Sequence, residues 1–194
     1  MPGSETAPEA VKILISGGFG VGKTTTVASV SEIVPLRTEE VLTSASMTSD
    51  DLSGIEQKTT TTVALDFGRV TLTPDLVLYL FGTPGQQRFW FMWNDLAIGA
   101  LGGVVLVDTR RLETSFAAID FFERRGIPFI VAVNCFSGLQ PYPAEDIRTA
   151  LALSPDIQLR MIDARDRASC RDALLALVDQ LIVNLTVQSK HALA

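Results

Sequence analysis

The sequence predicts an α/β fold, a mostly parallel sheet of six strands wound with helices on both faces. Three observations predict it. The runs 103–108 and 128–134 are continuously apolar rather than alternating, the pattern of parallel strands covered on both sides, and the apolar run 11–15 reads as a buried strand. Segments with helical spacing lie between strands from residue 103 onward. The chain of 194 residues, 47% of them hydrophobic, suits one domain with a substantial core.

Taken in order, Val11–Ile15 reads as the first strand and Thr24–Val34 as the first helix. Residues 35–58 are rich in Pro, Thr, Ser and acids without apolar periodicity and read as a long functional loop. Thr60–Leu72 alternates, Pro74-Asp75 marks a turn and Leu76–Phe81 is apolar, so residues 60–81 form a hairpin that contributes one antiparallel strand. Leu112–Arg125 and Ala144–Leu153 read as helices, and Gln158–Asp163 as the sixth strand. In the last helix Leu174, Leu177, Val178, Leu181, Ile182 and Leu185 share one face and are expected in the core. The expected organisation is a flexible tail over 1–10, a single domain over 11–188 and a short tail over 189–194.

A net charge of −6 with no cluster of Lys or Arg argues against nucleic acid or acidic lipid as a partner. Cys135 and Cys170 are too few for a disulfide framework and lack metal-ligand spacing, which fits a reducing cytoplasm. No apolar stretch has the length of a membrane span, and the first ten residues lack the apolar centre of a signal peptide. Met1-Pro2 departs from the myristoylation pattern and the ending His191-Ala192-Leu193-Ala194 has no prenylation cysteine, so no direct lipid anchor is expected.

The chemistry begins at Gly17-Gly18-Phe19-Gly20-Val21-Gly22-Lys23-Thr24, the spacing G-x-x-x-x-G-K-T between a strand and a helix. Wrapping a polyphosphate requires converging backbone N–H groups, which glycine-rich chain allows at close range. Lys23 reaches the β/γ-phosphates, the Thr24 hydroxyl can ligate Mg²⁺, and the helix N-terminus adds its dipole.

Downstream, Phe81-Gly82-Thr83-Pro84-Gly85-Gln86-Gln87-Arg88-Phe89, together with Thr62-Val63-Ala64-Leu65-Asp66-Phe67, resembles the switch II and switch I regions of Ras-like small GTPases, P-loop NTPases built as a three-layer sandwich. More narrowly, Thr83–Trp93 with Val107-Asp108-Thr109-Arg110-Arg111 resembles the small GTPases of actinobacterial conservons, relatives of the polarity GTPase MglA. The resemblance implies a guanine-nucleotide switch that binds GTP and GDP with Mg²⁺ and hydrolyses GTP slowly in bacterial signalling. Its partners would be a Roadblock/LC7-type regulator and a sensor kinase complex, with any membrane recruitment left to them. It assigns Gly17, Gly20, Val21, Gly22, Lys23, Thr24 and Thr25 to the phosphates, and Thr24 and Thr62 to the metal, with Thr62 sensing the γ-phosphate. Gly85 would offer its N–H to the γ-phosphate, Gln86 would position the attacking water and Lys23 would stabilise the transferred charge. Asn134 and Ala164 would meet the base.

Three departures leave alternatives open. Gly82 stands where Ras-like proteins carry the aspartate of the Mg²⁺ shell, and Asp66 or Asp108 could substitute. Asp108 in that role would indicate an ATP-using P-loop enzyme, while a weak metal site would suit a scaffold that retains nucleotide without hydrolysis. Ser137 occupies the position of the guanine-reading aspartate, and a neutral hydroxyl cannot accept two donors as a carboxylate does, so ATP stays open. Any arginine that speeds hydrolysis within this chain would be Arg37 or Arg69. The cluster Phe89, Trp90, Phe91, Met92 and Trp93 cannot all lie on one helical face, which leaves an aromatic anchor for a partner beside packing residues.

Overall fold

The computed structural model describes residues 7–42, 61–136 and 142–192. Among the described residues seven strands form one sheet: β1 (Glu9–Gly17), β2 (Leu36–Leu42), β3 (Thr61–Thr73), β4 (Leu76–Gly82), β5 (Ala100–Val107), β6 (Phe129–Asn134) and β7 (Leu159–Ile162). Their order is β2-β3-β4-β1-β5-β6-β7. β3 runs antiparallel to both its neighbours, so it is the one strand opposed to six others, as the hairpin reading requires. The helices are α1 (Lys23–Val30), α2 (Trp93–Ala97), α3 (Phe116–Arg125), α4 (Ala144–Ala150) and α5 (Arg167–Ala192), with 3₁₀ turns at Gln87–Met92 and Leu112–Thr114.

The continuous apolar runs make sense once sorted by parity. Ile13, Ile15, Val104, Leu106, Ile130 and Ala132 face a core shared with α1 and α5. Leu14, Val105, Val107, Val131 and Val133 face the opposite core, with Phe122 and Ile119 of α3 and Trp93 of α2. β1 lies between β4 and β5, and the crossovers on its two sides run over opposite faces. The loops after β1, β4 and β5 therefore open at the switch point of the sheet, where α/β proteins place their ligands.

Several boundaries differ from expectation. The sheet gains a seventh strand, because residues 36–42 of the expected loop pair with β3; the rest of that loop to residue 60 lies outside the described residues. α1 stops at Val30 rather than Val34, since Ser31 turns to extended backbone (ψ 138°) and its hydroxyl accepts from the Ile33 and Arg69 amides. β1 begins at Glu9, within the stretch read as a tail, and α5 continues to Ala192. On α5 Leu174 and Leu177 are buried, with Val178 and Leu181 packed against the core, but Ile182 and Leu185 are more than half exposed. No helix among the described residues is long and apolar enough to cross a membrane.

Gly103 shows how tightly the α3 side is packed: a Cβ there would overlap the ring of Phe122, itself fully buried. Gly103→Ala is expected to lower stability by about 1–3 kcal/mol through overpacking, measured as a shifted denaturant midpoint at unchanged slope.

Candidate nucleotide site

The phosphate loop leaves β1 at Gly17 and enters α1 through Gly22, whose φ of 110° is left-handed territory. A side chain at Gly22 would also collide with Asn134, its Cβ lying 2.7 Å from Nδ2. Lys23 is buried, and its Nζ donates to the carbonyls of Gly17 (2.9 Å) and Gly18 (2.7 Å), so the ammonium sits inside the curl of the loop. Burial pulls its pKa down to about 8, partly opposed by the carboxylate of Asp66.

The neighbouring threonine finds the carboxylate. Thr24 Oγ1 donates to Asp66 Oδ2 at 2.5 Å, and Asp66 is 6% exposed. Asp66 faces Gly82 in the β3–β4 register. A Cβ on Gly82 would lie 3.0 Å from Asp66 Cβ and 3.2 Å from its Oδ2, so a side chain at 82 would contest the space that Asp66 occupies. Of the two carboxylates that could serve for the missing aspartate, the one beside Thr24 is Asp66. Asp108 is instead gripped by Arg110, whose Nε and Nη2 each donate to it at 2.8 Å, and that contact holds its pKa below the usual carboxylate range.

Residues 82–86 close the other side. Thr83 is buried and donates through Oγ1 to Ser16 Oγ (2.9 Å), while the Trp93 indole N–H donates to the Pro84 carbonyl (2.9 Å). Gly85 passes so close to the loop that its Cβ would lie 2.6 Å from Lys23 Nζ and 2.9 Å from the Gly18 carbonyl. These groups bound a cavity of about 310 Å³ whose lining includes Gly20, Gly22, Lys23, Thr24, Thr25 and Asp66, and also Gly85 and Gln86. Gln86, Gly85, Lys23 and Thr24 are thus brought together as the motifs require. Val21 is buried outside the cavity lining, and its carbonyl accepts from Asn134. Of Thr62 the backbone is placed, paired with Val41, and its side chain lies outside the described residues.

On the other flank, Asn134 donates through Nδ2 to the Val21 carbonyl (3.0 Å) and accepts at Oδ1 from the Ala164 N–H (3.1 Å). One end of its amide braces the phosphate loop and the other holds the segment after β7, so the Ala164 N–H expected to meet a base is bonded to Asn134. Ser137 lies outside the described residues. Arg69 pairs in register with Tyr79, away from the cavity lining, and the side chain of Arg37 is outside the described residues. In the aromatic cluster Phe89 and Trp93 are buried, Trp90 packs on Trp93 with centroids 5.4 Å apart, and Phe91 is exposed. A hairpin turning at Pro74-Asp75 with Thr73 opposite Leu76 would set residue 66 across from residue 83; the register shift between Thr71 and Thr73 sets Asp66 across from Gly82 instead.

A buried lysine curled in a glycine loop, a threonine hydroxyl on a carboxylate and a cavity between them fit a nucleotide phosphate chain and its divalent ion. Thr24 and Asp66 are the residues that could hold the ion. The comparisons agree with the geometry. Residues 15–184 match the family described as conserved hypothetical ATP-binding proteins. The chain belongs to this family. It is a nucleotide-binding P-loop protein. An uncharacterized protein of Methanocaldococcus jannaschii is 30% identical over 129 residues, 65% of this chain and 70% of that one. The fold is that of a G domain. The G domain of the Thermotoga maritima FeoB iron transporter superimposes with a TM-score of 0.57 at 14% identity over 90% of this chain and 98% of its own. The FeoB G domain of Methanococcus jannaschii does so with a TM-score of 0.59 at 14% identity, over 89% and 98%.

Lys23 gives the site a pH signature. Between pH 8 and pH 10.5 the unfolded chain keeps the lysine proton that the folded chain has released, so its contribution to stability rises with pH across that window. The denaturant midpoint of nucleotide-free protein, minus that of Lys23→Met, is expected to increase from pH 8 upward and to be flat below it.

Proposed function

We propose that this protein is a nucleotide-operated switch that binds a purine nucleoside triphosphate with Mg²⁺ at Thr24 and Asp66 and hydrolyses it slowly, guanine being the favoured base. The observation that carries the reading is the Thr24–Asp66 contact beside the buried Lys23: a hydroxyl and a carboxylate at the mouth of a phosphate cradle form the protein side of a Mg²⁺ shell. Lys23 would neutralise β/γ-phosphate charge, Gly85 would donate its N–H to the γ-phosphate, and Gln86 would orient water. Thr62 would report the γ-phosphate to residues 35–62, and Pro84 and its neighbours would do so for residues 82–95.

Resemblance to conservon and MglA-type GTPases supports a bacterial signalling role with a Roadblock/LC7-type regulator and a sensor kinase complex. Exposed Phe91, at 62%, is the anchor such a regulator would use. A second reading, in which ATP is the ligand, is favoured by Ser137 at the guanine-reading position and by the family's description. A third, in which nucleotide is retained as a fixed part of a scaffold, predicts no turnover with any partner.

Calorimetric titration of nucleotide-stripped protein with GDP, ADP and non-hydrolysable GTP and ATP analogues, with and without Mg²⁺, tests the reading. A guanine preference with Mg²⁺-enhanced triphosphate binding is expected; tighter adenine binding would move the ATP reading to the front, and no nucleotide binding would end all three. Asp66→Asn should lower the apparent Mg²⁺ affinity about 10- to 100-fold. Gln86→Leu should lower single-turnover hydrolysis by about 10- to 100-fold while leaving nucleotide affinity near normal.

A further inference from the structure

Asp108 follows β5 with a carboxylate that is 1% exposed and is absent from the cavity that holds Thr24 and Asp66. A buried carboxylate is costly unless it is both paired and hydrogen-bonded. Here it organises two arginines. Arg110 grips both oxygens through Nε and Nη2 and adds its backbone N–H at 3.0 Å. Arg111 places Nη2 3.7 Å from the same carboxylate.

Each arginine leads to a different side of the nucleotide site. Arg111 Nη2 donates to the Phe19 carbonyl at 3.1 Å. In a trans peptide the carbonyl of one residue and the N–H of the next point in opposite directions, and no peptide bond described here is cis. Fixing the Phe19 carbonyl on Arg111 therefore turns the Gly20 N–H the other way, and Gly20 lines the phosphate cavity whereas Arg111 does not. Arg110, held flat by its fork on Asp108, stacks 3.9 Å above the ring of Phe136. Phe136 lies two residues beyond Asn134, and its carbonyl accepts from Arg165, the residue after Ala164. The same carboxylate is thus connected to the phosphate loop on one side and to the Asn134–Ala164 flank on the other.

We propose that Asp108 is a positioning residue of the nucleotide site, orienting the Gly20 N–H toward phosphate through Arg111 and fixing the base-side loop at Phe136 through Arg110. The proposal rests on the reading of the cavity as a nucleotide site. It gives Asp108, one of the two carboxylates that could have substituted for the missing aspartate, a role without metal.

The test separates the two branches with two probes, inorganic tripolyphosphate and whichever of the GTP or ATP analogues the wild type binds. Arg110 and Arg111 are 62% and 46% exposed in their side chains, so their variants are expected to fold even where Asp108→Asn does not. Arg111→Ala should weaken both probes about three- to tenfold, the loss expected for one hydrogen bond. Arg110→Ala should weaken the nucleotide analogue by a similar factor and leave tripolyphosphate unchanged. Asp108→Asn, if folded, should show both losses together. Arg111→Lys should recover most of the affinity, because an ammonium can still reach one carbonyl, whereas Arg110→Lys should not, because it lacks the planar fork that grips and stacks at once. Equal losses for both probes in both arginine variants would indicate general loosening and overturn the proposal, as would unchanged binding in all of them. A wild type that binds neither probe would remove the nucleotide reading itself and the proposal with it.

Discussion

The hydrogen bond from Thr24 to Asp66 is the contact on which the phosphate side of the molecule depends. A hydroxyl donating to a carboxylate is among the stronger protein hydrogen bonds, with a net contribution of about 1.5–3 kcal/mol. It ties the first turn of α1 to β3, and the carboxylate also raises the proton affinity of the buried Lys23. All of this needs an empty position at Gly82, directly across the strand pair. Gly82 and the aspartate that stands opposite it form one arrangement, with the carboxylate carried by β3 in space that a side chain on β4 would contest.

The opposite flank is built differently. There the loop is held by side chains rather than by close backbone approach: Asn134 spends both ends of its amide on Val21 and Ala164, and Arg111 takes the carbonyl of Phe19. Burying so many polar groups beside two apolar cores is costly unless each is satisfied. They concentrate at the ends of β1, β4, β5 and β6, where the sheet changes winding direction and a ligand has room. The centre of the sheet, in β1, β5 and β6, is largely aliphatic and keeps those ends in register.

Much of this was legible in the sequence because it rests on local pattern. The apolar runs announce central strands, the glycine spacing announces the loop, and the turn at Pro74-Asp75 announces the hairpin. β2 was not legible, because an edge strand pairs on one side only and its stretch Arg37-Thr38-Glu39-Glu40 carries none of the apolar signal of a central strand. The periodicity of α5 overran the core: Ile182 and Leu185 keep the spacing of Leu174 and Leu177, but the burial ends with Leu181. Asp66 and Asp108 were both visible as candidates. Only the strand register could choose between them, since Arg110 and Arg111 lie beside Asp108 in sequence while their contacts with Phe136 and Phe19 come from the fold.

On the proposed reading β3, and not the end of β5, supplies the metal carboxylate. A crystal structure of the protein with a non-hydrolysable triphosphate and Mn²⁺, read through the anomalous signal of the metal, addresses it most directly. The ion should lie between Thr24 Oγ1 and the phosphates with Asp66 in its coordination shell, directly or through one water, and Asp108 should remain on Arg110. An ion bound near Asp108, or one at Thr24 with Asp66 turned away, would contradict it.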